Sequence, residues 1–438
     1  MSELPRRFGF YQRLFGVSIV CLPYVSYIGF VGIGIVLIYL LKTLKRSLLD
    51  PVTGNGLLLV SGLIVLSCLF AWERGEAFLQ LTNYLPFFLF FALMPALLKR
   101  TAQLEQLAFG IVMSSIPLNF LAFGEYLLRA SFIPRPLQRL PLVKWIRDRP
   151  HEGRAMLTFG HPNALAAYLV VVFGLGLGLI FCYSLRRRAV EQGAVQPDRL
   201  QPGRLQLGRL HPAWLYAATF LNLLGIFSSG SRNGLVVSIS QLLLCSLFTK
   251  ASRAIWIGGL VSIGSVLAGI TWLGIGGRSH LFGNATDESR LLIWRIALDL
   301  MRERPWLGWG LGSYKFLYPS RIVGLNVTET YVGHPHNLWL MLGCEAGLLV
   351  TIALTVWVGY VCFRGAKVLV LQQLPPGDRA ILLGYLAAFW GCMSFALFDV
   401  PLFDARLNIM GWLLLSGIYA IASLTPVEPN LDLPNPSP

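Results

Sequence analysis

Residues 161–182 read HPNALAAYLVVVFGLGLGLIFC, 22 positions without one Asp, Glu, Lys or Arg. A helix that crosses a bilayer needs roughly 20 predominantly apolar residues, and this stretch supplies them. It ends at Arg186, Arg187 and Arg188, a basic flank of the kind that marks the cytoplasmic side of a span. Working outward from it, comparable apolar runs fall at about 16–41, 55–72, 79–98, 105–129, 213–228, 234–248, 255–275, 337–363, 380–398 and 407–424, eleven with the first. Of the 438 residues 55% are apolar and 13% charged, and the mean hydropathy is +0.63. Soluble domains carry about 25% charged residues, so the missing polar surface implies a lipid solvent. The same composition excludes a disordered chain, a disulfide scaffold and a nucleic-acid-binding protein, despite a formal charge of +15.

Charge placement sets the expected topology. With eleven spans the basic flanks Arg6, Arg7 and Arg13 would lie opposite Lys42, Lys45 and Arg46. A hairpin broken near Pro23 brings both flanks to the cytoplasm. The expected fold is therefore all-α: a single polytopic membrane domain over 1–438 with about 12 transmembrane helices. No small-residue cleavage site follows the basic N-terminus, so an uncleaved segment is expected. Residues 183–211, with Gly-Arg-Leu at 203–205 and again at 208–210, read as a flexible cytoplasmic loop. Two segments expected on the outer face, 130–160 and 276–336, are unexpectedly basic, and orientation alone does not require those cations. Within the second, residues 287–304 place Glu288, Arg295, Asp299 and Arg302 opposite Leu291, Trp294, Ile296, Leu298 and Met301. That pattern predicts an amphipathic helix lying along the interface.

Several chemistries find no support in the loops. The chain has no Gly-x4-Gly-Lys-Ser/Thr loop. Gly308, Gly310 and Gly312 form a turn with close backbone approach and not a dinucleotide site. The six histidines offer no HExxH spacing and no cysteine lies beside them, so neither a metal nor another cofactor is expected. Ion-coupled transporters keep ionisable groups in mid-span. Here Glu125, Glu345 and Asp399 lie near run ends and read as capped or interfacial residues, which disfavours transport.

Three outer-face segments stand out. Ser231-Arg232 falls in the turn Ser228–Gly234; Arg290-Leu-Leu-Ile-Trp294 is followed by Arg304-Pro-Trp-Leu-Gly-Trp-Gly310; His334-Pro-His336-Asn337 opens a run that reaches Glu345 and Gly347. Each alone has a plain structural reading, as a capped turn, an interfacial Arg/Trp belt or a helix cap. Together, in this order and on one face, they resemble the O-antigen ligase/polymerase family of bacterial membrane proteins, most strongly over about 154–350. Arg154 with Pro162-Asn163-x-Leu165-Ala166 is a looser match.

The resemblance implies a GT-C-like glycosyltransferase in the bacterial inner membrane with its active site facing the periplasm. It would take a glycan from an undecaprenyl (polyprenyl) diphosphate carrier and pass it to an acceptor hydroxyl on a glycan or lipid A-core, without a metal and with inversion. Arginine forks bind phosphate oxygens bidentately and stabilise a departing diphosphate, which points to Arg232 and Arg290. An imidazole takes a proton at neutral pH, which points to His336 as the base. Arg154, Asn163, Asn337, Arg295 and His334 are the candidates for binding substrate. The alternatives are repeat-unit polymerisation, transfer to a protein, or transport of inorganic carbon by a divergent member; divergent members tend to lack the His-Asn motif, which is present here.

Overall fold

The computed structural model describes residues 3–44, 49–129, 140–151, 153–192, 212–248, 261, 264, 284–325, 330–371, 373–400 and 403–424. All regular structure among them is helical. Seven helices are long and apolar enough to cross a membrane, and two shorter apolar ones, Pro212–Ser228 and Arg232–Phe248, accompany them. The expected count of 12 is therefore matched only in kind; the run 255–275 lies outside the described residues. The first run is a hairpin as expected, Glu3–Cys21 against Ser26–Thr43, with the break at Pro23. Its tip is tied down where Thr158 Oγ1 donates to the Pro23 carbonyl at 2.6 Å.

The stretch quoted first becomes the centre of the bundle. Pro162–Glu191 is helical throughout and buried on every side from Leu165 to Leu179, as a helix apolar all round must be. It continues nine residues past 182, so the loop expected from 183 begins only after Gln192, and 193–211 lie outside the described residues. Small residues let it meet the Pro376–Phe395 helix backbone to backbone. A Cβ on Gly178 would sit 2.3 Å from Gly384 Cα, and one on Gly174 would sit 2.6 Å from Ala388 Cα. Gln241 pins the same seam, its Nε2 donating to the Val170 carbonyl at 3.0 Å and the Ala387 carbonyl at 2.9 Å. Gly178→Val should therefore cost at least about 3 kcal/mol by overpacking. Gly62→Ala, whose Cβ meets nothing within 4 Å, should be silent. Thermal unfolding in detergent measures both, and an unchanged Gly178→Val midpoint would contradict the close seam.

Several buried charges are paired near helix ends. At one end of the bundle Arg186 donates to both oxygens of Glu105, at 2.6 and 2.7 Å, and Arg364 pairs with Asp50. At the other, Glu125 accepts from Arg149 at 3.0 Å and from the Met156 and Leu157 N–H groups. Some of the cations expected at 130–160 thus serve the fold, with Arg129 donating to the carbonyls of Arg149, Pro150 and His151.

The run expected as one span over 337–363 is two helices, Leu338–Glu345 and Gly347–Val370. The break is built by the glycine turn. Gly347 has φ +84° and Gly308 φ +68°; a Cβ on either would lie 2.3 Å from a carbonyl oxygen of the other's neighbour, Trp306 or Glu345. The Glu345 carboxylate then accepts from the Gly312 N–H at 2.9 Å and the Tyr314 N–H at 3.1 Å. The amphipathic helix is Asn284–Glu303. Its apolar side differs from the expected one: Ile293, Ile296, Ala297 and Leu300 pack against Tyr314, Tyr318 and Cys344, while Leu291 is 63% exposed. Protein, not lipid alone, covers that face.

Candidate functional site

Four helix ends and two loops converge at the end of the bundle that carries Glu125. The His334–Asn337 segment is strapped to the end of the Pro376–Phe395 helix. Asn337 caps the Leu338–Glu345 helix, its Oδ1 accepting from the Leu340 N–H at 3.0 Å, while its Nδ2 donates to the Leu397 carbonyl at 3.0 Å. The Leu338 N–H donates to the Ala396 carbonyl at 2.9 Å. Both ends of the Asn337 amide are thus used by the fold. These ties hold His336 in left-handed backbone, φ +49°, a conformation that costs a non-glycine residue roughly 1–3 kcal/mol. The His336 N–H donates to His334 Nδ1 at 3.2 Å, and the two rings meet edge to face at 4.5 Å.

The imidazole so placed faces Asp399, with Nδ1 3.4 Å from Oδ1. The other carboxylate oxygen accepts from Asn163 Nδ2 at 3.0 Å. Asn163 in turn accepts from Arg154 Nη2 at 2.8 Å, and Arg154 Nε donates to the Ser229 carbonyl at 2.7 Å. A continuous chain therefore runs from the Ser-Ser-Gly-Ser turn through Arg154, Asn163 and Asp399 to His336. Burial works against the charge on Asp399, but its hydrogen bond to His336, the neighbouring His334 and the Val400 N–H hold its carboxyl well below the usual carboxylate range. His334 is pushed down to about 4 by burial and by His336, with Asp399 opposing. Burial likewise pushes His161 down to about 4. Both rings are neutral at pH 7.

Arg154, Asn163, His334 and His336 are thus brought together. Arg232 begins its helix half-buried, immediately after the turn that Arg154 braces. Arg290 lies half-buried in the first half of Asn284–Glu303 and Arg295 is exposed on it. Neither makes a hydrogen bond or ion pair with another described residue. That helix packs on Leu338–Glu345 through Ile293, Ile296 and Leu300, with Leu340 against the cluster. Arg290 and Arg295 therefore stand on a helix that packs against the one the His336 segment opens.

Asp399 was read from the sequence as an interfacial acid, and its place beside His336 was missed. The 63 residues that separate the two carry no spacing signal; the only hint was an acid just before Pro401 at the end of an apolar run. One ring nitrogen from each of His334 and His336 and an Asp399 oxygen lie within 4.8 Å of one another, a grouping that motif spacing did not reveal.

Residues 217–355 match the family model described as O-antigen ligase. That segment is similar to the O-antigen ligase family. The matched segment holds Ser231, Arg232, Arg290, Arg295, His334, His336 and Asn337, whereas Arg154, Asn163 and Asp399 lie outside it. No curated protein matches the chain.

Next to the site an apolar cavity of about 530 Å³ opens between five helices. Leu338, Trp339 and Ala396 wall it at the His336 end, and Phe248, Phe363 and Leu369 at the far end.

Proposed function

We propose that this protein transfers a glycan from a polyprenyl-diphosphate carrier to an acceptor hydroxyl at the His336 site, on the periplasmic face of the bacterial inner membrane. The observation that carries the reading is an imidazole held against a half-buried carboxylate beside an apolar cavity, in a chain with a segment similar to O-antigen ligases. A sugar and its diphosphate need water; the carrier needs the membrane. The site offers both within one residue, since His336 and Asn337 are followed by the cavity-lining Leu338 and Trp339.

In the proposed reaction the acceptor oxygen attacks the anomeric carbon from the face opposite the diphosphate, and the bond from that carbon to the phosphate oxygen breaks. The configuration inverts. Asp399 accepts from His336 Nδ1–H and fixes that tautomer, which leaves Nε2 to take the acceptor's proton, and the carboxylate then stabilises the imidazolium. Arg232 and Arg290 bind the departing diphosphate, their planar forks supplying the charge that a metal would otherwise bring. Arg154 and Asn163 act through Asp399. Arg295 and His334 border the sugar.

The same arrangement is compatible with ligation to lipid A-core, polymerisation of repeat units or transfer to a protein. Transport is not favoured, because Glu105, Glu125 and Arg129 are paired near helix ends and the buried Glu345 is satisfied by two backbone N–H groups at a helix break.

The test is transfer by the purified protein with a defined polyprenyl-diphosphate-linked glycan and candidate acceptors. We expect glycosylated acceptor and free polyprenyl diphosphate in equal amounts, undiminished by exhaustive chelation. Activity that EDTA abolishes and Mg²⁺ or Mn²⁺ restores would remove the arginines from the leaving-group role. Absence of transfer to every acceptor class, with donor binding intact, would remove the transferase reading itself.

A further inference from the structure

We propose that His334, His336 and Asp399 form a binding site for a divalent transition-metal ion of the zinc class. In a tetrahedral site with bonds near 2.0–2.1 Å, ligand atoms stand roughly 3.4 Å apart. His336 Nδ1 and Asp399 Oδ1 are already separated by 3.4 Å. No two ligand atoms of the three-residue set are more than 4.8 Å apart.

The set is preorganised by its backbone and by its neighbours. The left-handed backbone at His336 and its N–H bond to His334 turn two alternate residues, which an extended strand would point the same way but a helix would separate, into rings that meet at 4.5 Å with planes 66° apart. Phe403 stacks on His334 at 5.3 Å and limits its swing. Asn163 Nδ2 holds the second oxygen of Asp399, and Arg154 holds Asn163, the outer-shell support that orients a ligating carboxylate. The first shell is two imidazoles and one carboxylate, with a position left for water. Imidazole nitrogens favour Zn²⁺, Co²⁺ and Ni²⁺, whereas Mg²⁺ and Ca²⁺ prefer oxygen alone. An ion there would engage His336 and withdraw it from proton transfer; that consequence rests on the transferase reading, whereas the site does not.

The experiment contains no glycan, so its failure and that of the transferase reading are separate. Full-length protein, with any affinity tag removed, is titrated in detergent with Zn²⁺ alone by calorimetry, and with Mg²⁺ as the comparison. We expect one Zn²⁺ per chain at micromolar or tighter affinity and no heat from Mg²⁺. His334→Ala and Asp399→Asn should each weaken Zn²⁺ by at least about tenfold, and His151→Ala should not. Zinc-edge X-ray absorption of the wild type gives a second reading that needs no variant, and two imidazole scatterers are expected. Wild-type protein that binds no Zn²⁺, both variants binding as tightly as wild type, or an absorption spectrum without paired imidazoles would each overturn the site.

Discussion

Replacing His336 by alanine is expected to lower single-turnover transfer by about 10²–10⁴-fold while donor binding is retained. The imidazole is 30% exposed and belongs to a loop segment, so its removal leaves no cavity in the bundle. The strap that shapes the segment runs through Asn337 and Leu338, whose bonds to the Leu397 and Ala396 carbonyls do not involve the ring. Rate and binding therefore separate. Asp399→Asn keeps the size of the side chain but loses the charge opposite the imidazolium, and it should fall at least about tenfold in rate with little change in donor affinity. The measurement is single-turnover transfer beside equilibrium donor binding, on variants with matched gel-filtration profiles. A folded His336→Ala protein that transfers at near wild-type rate would exclude the base.

Arg290→Lys is expected to be severely impaired although its charge is kept. A lysine ammonium is a point charge on a flexible stem and cannot reproduce the two parallel N–H bonds of a guanidinium fork on a phosphate. In the structure Arg290 engages no other described residue by hydrogen bond or ion pair, on a helix whose buried stripe is Ile293, Ile296, Ala297 and Leu300. Its loss therefore removes no packing from that stripe. The expected signature is a loss of at least about 10²-fold in transfer, with weaker binding of a free polyprenyl diphosphate and an unchanged thermal midpoint. Full activity in Arg290→Lys would leave this arginine an anchor for headgroups.

Much of the helical architecture was legible before any coordinates because its cause is local. An uncharged run has nowhere to reside but lipid or a protein core, and the hairpin at Pro23 followed from two basic flanks that had to share a side. Helix pairing was less legible. Gly174 and Gly178 are four residues apart on the sequence, but nothing there says that Gly384 and Ala388 meet them. The span expected over 337–363 divides at Gly347 because residues 306–308 press on it, a contact made across some 40 positions of chain. The polar edge of Asn284–Glu303 was legible from its periodicity, but its exact buried stripe was set by Tyr314, Tyr318 and Cys344.

The sequence by itself determined a helical membrane protein, the likeness to O-antigen ligases, and the residue types of the site: Arg232, Arg290 and His336, with His334, Asn337, Arg154 and Asn163 nearby in order. These are properties of single segments, set by burial of apolar runs and by short motifs. Only the tertiary structure decided which of them act on one another. It brought Asp399 to His336 and strung Asn163 and Arg154 behind it. It also assigned Asn337 to a cap and turned His334 toward the same carboxylate. The physical reason is that a carboxylate is oriented by whatever surrounds it in space. At Asp399 those groups come from helix ends and loops up to 245 residues away in sequence, which no periodicity or spacing records.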